Sequence, residues 1–216
     1  MTQLDITGPH QVFSSMPNTQ VLLLWKTLEP VVSNGGLTIL PTTIFDECPQ
    51  LDVLCVPGGV FGAVEMMQDA QMLAFLQKQA QTAKYVTAVC TGSLILAAAG
   101  LLKGYRAACH WAFREQLILM SVEVSNDRVV VDRNRITGGG VTAGIDFALT
   151  IAAMLSGEYT AKFIELMLEY NPLPPFGVGS PEKAGSRLVQ AVLNVAKPLI
   201  EASNTASQQA ASSLDC

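Results

Sequence analysis

The sequence predicts a three-layer α/β sandwich, with a mainly parallel central sheet flanked by helices, and three observations carry that expectation. Short apolar runs of β character alternate with longer stretches of helical spacing along most of the chain. Glycine-rich turns, Pro57-Gly58-Gly59 and Gly138-Gly139-Gly140, stand directly after two of those runs. Half of the 216 residues are hydrophobic and only 14% are charged, which suits an extensive core rather than a disordered scaffold.

From the amino end, Gly8 and Pro9 precede a short helical pattern that runs to Met16. Val21 to Trp25 is a β-type run, and after Asn34-Gly35-Gly36 the same character returns in Leu37 to Leu40. Asp46 to Gln50 is rich in turn formers, and Leu51 to Val56 reads as a buried strand stopped by Pro57. Within residues 67–80, Met72, Leu73, Leu76 and Ala80 recur at helical spacing, so one face packs on the sheet. Residues 85–89 form the next strand, and the alanine- and leucine-rich stretch to Gly100 the next helix. Arg106 to His110 returns toward the sheet, and Trp111 to Met120 is helical again. Asp132, Arg133 and Asn134 suit a hairpin turn between Val129 to Val131 and Arg135 to Thr137, before an apolar helix from Ile145 to Leu155.

Helical patterns then fill Thr160 to Tyr170 and Pro181 to Ala202, the last with Ser180 as cap and Pro181 in its first turn. Pro198 is expected to bend or end that helix. One domain is expected over 1–202, followed by a small, polar tail over 203–216 that should fray.

The net charge of −5 leaves no clustered basic footprint for nucleic acid or anionic lipid, so the expected partner is a small neutral or weakly polar molecule. Five cysteines, at 48, 55, 90, 109 and 216, form an odd set without close CxxC pairs, so neither a metal site nor a metal cofactor is expected. The amino end shows no basic segment followed by an apolar core, and no stretch approaches a bilayer-crossing length. A reducing, cytoplasmic location with free thiols follows as an expectation.

The residues that carry chemistry cluster at 85–100, YVTAVCTGSLILAAAG. A cysteine between a strand ending at Val89 and a helix opening at Thr91, Gly92 and Ser93 can be a nucleophile elbow, its sulfur held above the carboxyl edge of the sheet. The first helix amides and the helix dipole favour the thiolate there. A buried structural cysteine packed between Val89 and Leu94 is the competing reading, and Gly92, which leaves room over the turn, favours chemistry. Asp5, followed by Thr7 and Gly8, can cap the first helix. His110 beside Trp111 is more readily a packed, hydrogen-bonded residue than an acid or base, and His10 suits a helix surface or a subunit contact. Gly138 to Gly140 suit a tight connection, and Thr142 and Asp146 the start of the helix after it.

Beyond these local readings, LDITGP at 4–9, VPGG at 56–59, AVCTGSLILAAAGLL at 88–102, CHW at 109–111 and ITGGGVTAGIDFAL at 136–149 resemble the ThiJ/PfpI superfamily. The likeness runs from about Thr2 through NPLPPFGVGSP at 171–181, and within the superfamily it is greatest to the isocyanide hydratases. It implies a flavodoxin-like, class I glutamine amidotransferase-like fold, no cofactor, and the homodimer usual for the family. It implies that Cys90 is the nucleophile, followed by the threonine, Thr91, that isocyanide hydratases carry there. Asp5 matches the carboxyl facing the sulfur. Gly59 and the Thr91 backbone amide match the anion-stabilising pair, and His110 takes a place near the sulfur.

The implied reaction is hydration of an organic isocyanide to an N-substituted formamide through a covalent thioimidate, with Asp5 holding a proton near neutral pH. Two alternatives share the cysteine: a glyoxalase or deglycase acting on carbonyl compounds, and a redox or ligand sensor. Members of the superfamily normally have an apolar strand just before the LDITGP segment. Only three residues precede Leu4 here, so that central strand is expected to be absent, with weaker folding or a less well fixed Asp5.

Overall fold

The computed structural model describes residues 1–214, so Cys216, one of the five cysteines, and the last two positions of the expected tail lie outside the described residues. The chain begins with α1 (Gln3–Ser14), β1 (Leu24–Trp25), β2 (Val31–Val32), β3 (Thr38–Ile39), β4 (Thr43–Ile44) and β5 (Val53–Val56). Two helices, α2 (Phe61–Met66) and α3 (Ala70–Ala80), lead to β6 (Tyr85–Val89) and α4 (Gly92–Ala98). After β7 (Arg106–Ala107), α5 (Arg114–Leu119) and β8 (Glu123–Val124) come β9 (Val129–Asp132), β10 (Arg135–Gly138) and α6 (Ala143–Ser156). The chain closes with α7 (Glu158–Met167), α8 (Pro181–Ala184) and α9 (Ser186–Leu214).

The expected sandwich is present. Its central sheet has the order β5-β6-β10-β9, with β6 parallel to both neighbours and β9 antiparallel at the edge. The central strand β6 is apolar on both faces because each face is covered: Val86 and Ala88 belong to one core with α4, and Val89 to another with α6. Register then decides where the strands end. Val56 lies opposite Ala88, and Gly138 opposite Val89, so the turns after β5, β6 and β10 emerge at one carboxyl edge.

Three local expectations need correction. Gly8 and Pro9 do not precede the first helix but sit inside α1, because that helix lies close on α6: a Cβ on Gly144 would meet Pro9 Cδ at 3.2 Å, and one on Gly8 would meet Ile145 at 3.4 Å. Pro198 does not end the last helix, which runs from Ser186 to Leu214, while Gly185 at φ +77° separates it from the short α8. The expected fraying from Ser203 is replaced by helix because Ser203, Ala206, Ser207 and Ala210 are small enough to bury one face, and Asn204 accepts from Gln116 Nε2 at 2.8 Å. Ser180 and Thr142 occupy N-cap positions without a side-chain cap bond.

The flank over residues 23–44 is built differently. β1 pairs only with β4, and β2 only with β3, in two separate two-stranded units.

Candidate active site

The elbow forms as the strand-to-helix junction predicts, and its backbone is strained. Cys90 adopts φ +58°, an unusual conformation for a residue with a side chain, and two carbonyls hold it there. Its N–H donates to Gly138 O at 3.0 Å and to Gly139 O at 2.9 Å. The Gly138 to Gly140 segment, read from sequence as a tight connection, therefore clamps the elbow from the β10 side. Gly139 is itself held by Arg128 O, which accepts its N–H at 2.9 Å.

The opposite clamp comes from the turn after β5. Gly58 N–H donates to Asp5 Oδ2 at 3.0 Å, and Gly59 N–H donates to Thr91 Oγ1 at 2.9 Å, while the Thr91 hydroxyl donates to Gly59 O at 2.8 Å. This reciprocal pair changes one expectation: the Gly59 amide, matched by resemblance to an anion-stabilising donor, is committed to the Thr91 side chain. The Thr91 amide is the donor directed at the Cys90 sulfur.

Two glycines have roles that the sequence did not reveal. A Cβ on Gly58 would lie 2.7 Å from Thr91 N and 2.8 Å from Asp5 Oδ2, so only glycine lets the turn reach both. A Cβ on Gly92 would lie 2.2 Å from Val56 O, so this glycine serves the close approach of α4 to the end of β5 rather than room for a substrate. The spacing of VPGG and CTG could have pointed to such mutual contact only once the two strands were known to be neighbours.

Asp5 does not cap α1. It is 1% exposed, reaches across to Gly58, and leaves Oδ1 buried without a hydrogen-bond partner in the protein. Burial raises its pKa from 3.8 to about 6, against the opposing pull of the Gly58 amide, the Cys90 thiol and the terminal ammonium. Cys90 is 5% exposed, and burial pushes its thiol well above the ordinary value. The facing Asp5 carboxylate and nearby Cys109 add to that shift, and the Thr91 amide opposes it. The sequence expectation of a free thiolate is thus reversed in the resting site: the helix amides are outweighed by burial and by the acid. Burial thus favours the protonated form of both groups, and the Asp5 charge favours the protonated sulfur further.

His110 is placed as the bland reading expects. Its Nδ1 accepts from Ala112 N–H at 3.3 Å, its ring packs against Trp111 and Phe113, and burial lowers its pKa. It also abuts Gly140, where a Cβ would meet Cδ2 at 3.1 Å, so it packs against the loop after β10. Asp146 does not cap α6 but is bound by Arg128 Nε and by the Tyr170 hydroxyl, each at 2.8 Å. Among the described residues, no group of three or more His, Cys, Asp or Glu side chains is placed to hold a metal ion. The site joins a soft nucleophile, an acid that shares its proton, and a backbone donor at a helix start, and this set can add a thiol across an electrophilic carbon.

The chain is also similar to known proteins. The model of the DJ-1/PfpI family matches residues 1–154. An isonitrile hydratase of Pseudomonas putida is 51% identical over 213 residues, which is 99% of this chain and 93% of that protein. The HTH-type transcriptional regulator GbdR of Pseudomonas aeruginosa is 35% identical over 158 residues, 69% of this chain but only 42% of the regulator. A ThiJ/PfpI family protein from Pseudomonas syringae superposes with a TM-score of 0.94 at 43% identity, covering 96% of this chain and 86% of that one.

Proposed function

The chain belongs to the DJ-1/PfpI family, and we propose that it is an isocyanide hydratase, a lyase that converts an organic isocyanide to an N-substituted formamide. The observation that carries this reading is the strained Cys90 elbow with the buried Asp5 carboxyl held beside it by Gly58. The near full-length likeness to an isonitrile hydratase supports the substrate class.

The terminal carbon of an isocyanide accepts both a nucleophile and a proton, and the pair supplies both. Cys90 Sγ bonds to that carbon while its proton passes through Asp5 to the same carbon, giving a thioimidate. The Thr91 amide stabilises charge as it develops beside the sulfur. Water then adds to the thioimidate carbon, with Asp5 taking one proton from the water and passing it to the nitrogen. Collapse of this adduct breaks the C–S bond, returns the proton to the pair and releases the formamide. Gly58 keeps the carboxyl in place, and the Gly59–Thr91 pair keeps the elbow against it.

The finer features rest on further observations. A homodimer is supported by the exposed apolar side chains of α7 and the segment after it, Tyr159, Leu166, Leu173 and Phe176, each more than 80% exposed. A cytoplasmic location is supported by Cys48, Cys55, Cys90 and Cys109 all being free thiols. The single-domain organisation is supported by two cores that share one sheet.

The test is product analysis. Purified protein given cyclohexyl isocyanide should release N-cyclohexylformamide, and Cys90→Ala should not. Turnover of methylglyoxal with the isocyanide left intact would replace this reading with a glyoxalase one. Stoichiometric Cys90 oxidation by peroxide, without turnover of either compound, would point to a sensor.

A further inference from the structure

Residues 171–179, Asn-Pro-Leu-Pro-Pro-Phe-Gly-Val-Gly, join α7 to α8 as an arm in which every residue is exposed. Leu173 is 91% and Phe176 85% exposed, and among the described residues 172–179 make no hydrogen bond. Pro172, Pro174 and Pro175 fix φ and remove backbone donors, so the arm is stiff and cannot join a sheet as a strand. What it offers a partner is its apolar side chains.

An apolar groove of about 540 Å³ lies between the start of α2 and the first half of α9. Every residue that lines it is apolar, with Val60 and Phe61 on one wall and Val192, Val195, Pro198 and Leu199 on the other. Val195 is 84% exposed and Phe61 51%, so the groove is open. An apolar groove with an aromatic wall suits a proline-rich segment, whose extended form is set before binding and loses little entropy on docking. Charge agrees with that match: residues 158–179 carry three glutamates and one lysine, whereas residues 186–199 carry Arg187 and Lys197 and no acid. Tyr159, Leu166, Leu173 and Phe176, each more than 80% exposed, offer on the order of 600–700 Å² per chain, near the ~800 Å² that one partner gives to a standard interface. The arm and α9 both lie beyond residue 154, outside the part of the chain that the DJ-1/PfpI model matches.

We infer that this groove receives the arm of a second copy of the chain, with Leu173 and Phe176 as its anchors. A two-fold axis lets each copy give its arm and accept the other's, so the contact closes on two chains. Val60 directly follows Gly59, whose amide is held by the Thr91 hydroxyl, so a seated arm rests against the turn that braces the elbow. The pairing rests on the homodimer proposed above and names the two surfaces that meet in it. It does not depend on the hydratase reading.

The experiment makes Phe176→Cys and Val195→Cys separately in the full chain, mixes the two under conditions that let dimers exchange, and oxidises the mixture. Peptide mapping should find a disulfide joining the two introduced thiols in the mixture, and neither variant alone should give a covalent dimer above the wild-type background. Sedimentation equilibrium should show the wild type as a dimer, and Val195→Glu should raise its dissociation constant by about 100-fold or more. Because Val195 is exposed, that variant should keep a cooperative melting transition. Gln190→Glu, on the same helix but outside the groove, should leave the dimer unchanged. A wild-type monomer at micromolar concentration would overturn the homodimer reading and the pairing together. A dimer that gives no mixed disulfide, that cross-links Phe176→Cys to itself, or that tolerates Val195→Glu would overturn the pairing alone.

Discussion

The carboxyl edge of the β5-β6-β10 sheet and the flank over residues 23–44 draw on similar β-forming residues, yet one is held from every side and the other is not. At the edge, the amides of Gly58, Gly59, Cys90 and Gly139 each have a named acceptor, and strained Cys90 sits between two clamps. On the flank the strands are two residues long and none of their residues is fully buried. The difference teaches that an unfavourable backbone conformation and a costly buried carboxyl persist only where neighbours over-determine them. The flank, in two separate two-stranded pairs, lacks that constraint.

Substitutions at the edge should break activity and those on the flank should barely register. Cys90→Ala is expected to lower formamide production by roughly 10³-fold or more, measured as single-turnover product release, because no other described thiol faces Asp5 so directly. Asp5→Asn should lower turnover by about 10²-fold, since the amide cannot relay the thiol proton.

The same variant sharpens the comparison through pH. The folded pKa of Asp5, about 6, lies above its ordinary 3.8, so the stability linked to its protonation is fully present below about pH 4 and is lost as pH rises through 6. Wild-type protein should therefore be less stable than Asp5→Asn at pH 7, by up to about 3 kcal/mol, and the gap should close toward pH 4 in thermal melts. Wild-type turnover should fall below about pH 6, where Asp5 and Cys90 both hold protons, and that acid limb should vanish in Asp5→Asn.

Gly92→Ala should destabilise by about 1–3 kcal/mol in denaturant titration, because its methyl group meets Val56 O, and should slow turnover by shifting the elbow from the β5 turn. At the periphery of the edge, Arg128→Gln removes a half-exposed ion pair with Asp146, and its effect should stay within about 1 kcal/mol. Val32→Ser on the flank, where Val32 is 61% exposed, should change stability by no more than about 0.5 kcal/mol. A flank substitution as damaging as Gly92→Ala would dissolve the contrast.

Much of the edge was legible beforehand. The apolar run through Val89, the single cysteine and the small residues after it specify a strand, a tight turn and a helix, because hydrophobic period and turn chemistry act over a few residues. The hairpin of β9 and β10 was legible for the same reason in its Asp-Arg-Asn turn. Pro9 and Pro198 misled, since the penalty each carries is local while the packing that overrides it, α1 on α6 and α9 on the main core, comes from distant segments. The polar tail misled likewise, because Ser203 and Ser207 count as surface residues until a neighbouring helix comes close enough to bury them.

What the sequence by itself determined is the layered α/β architecture and the presence of a cysteine elbow, both consequences of local patterning. The tertiary structure alone decided that Asp5 leaves its own helix to meet Gly58, that the Gly59 amide serves Thr91, and that Cys90 rests as a thiol. Those outcomes depend on strand register and burial, which bring together groups separated by tens of residues and set the local dielectric, and neither quantity is written in any one segment.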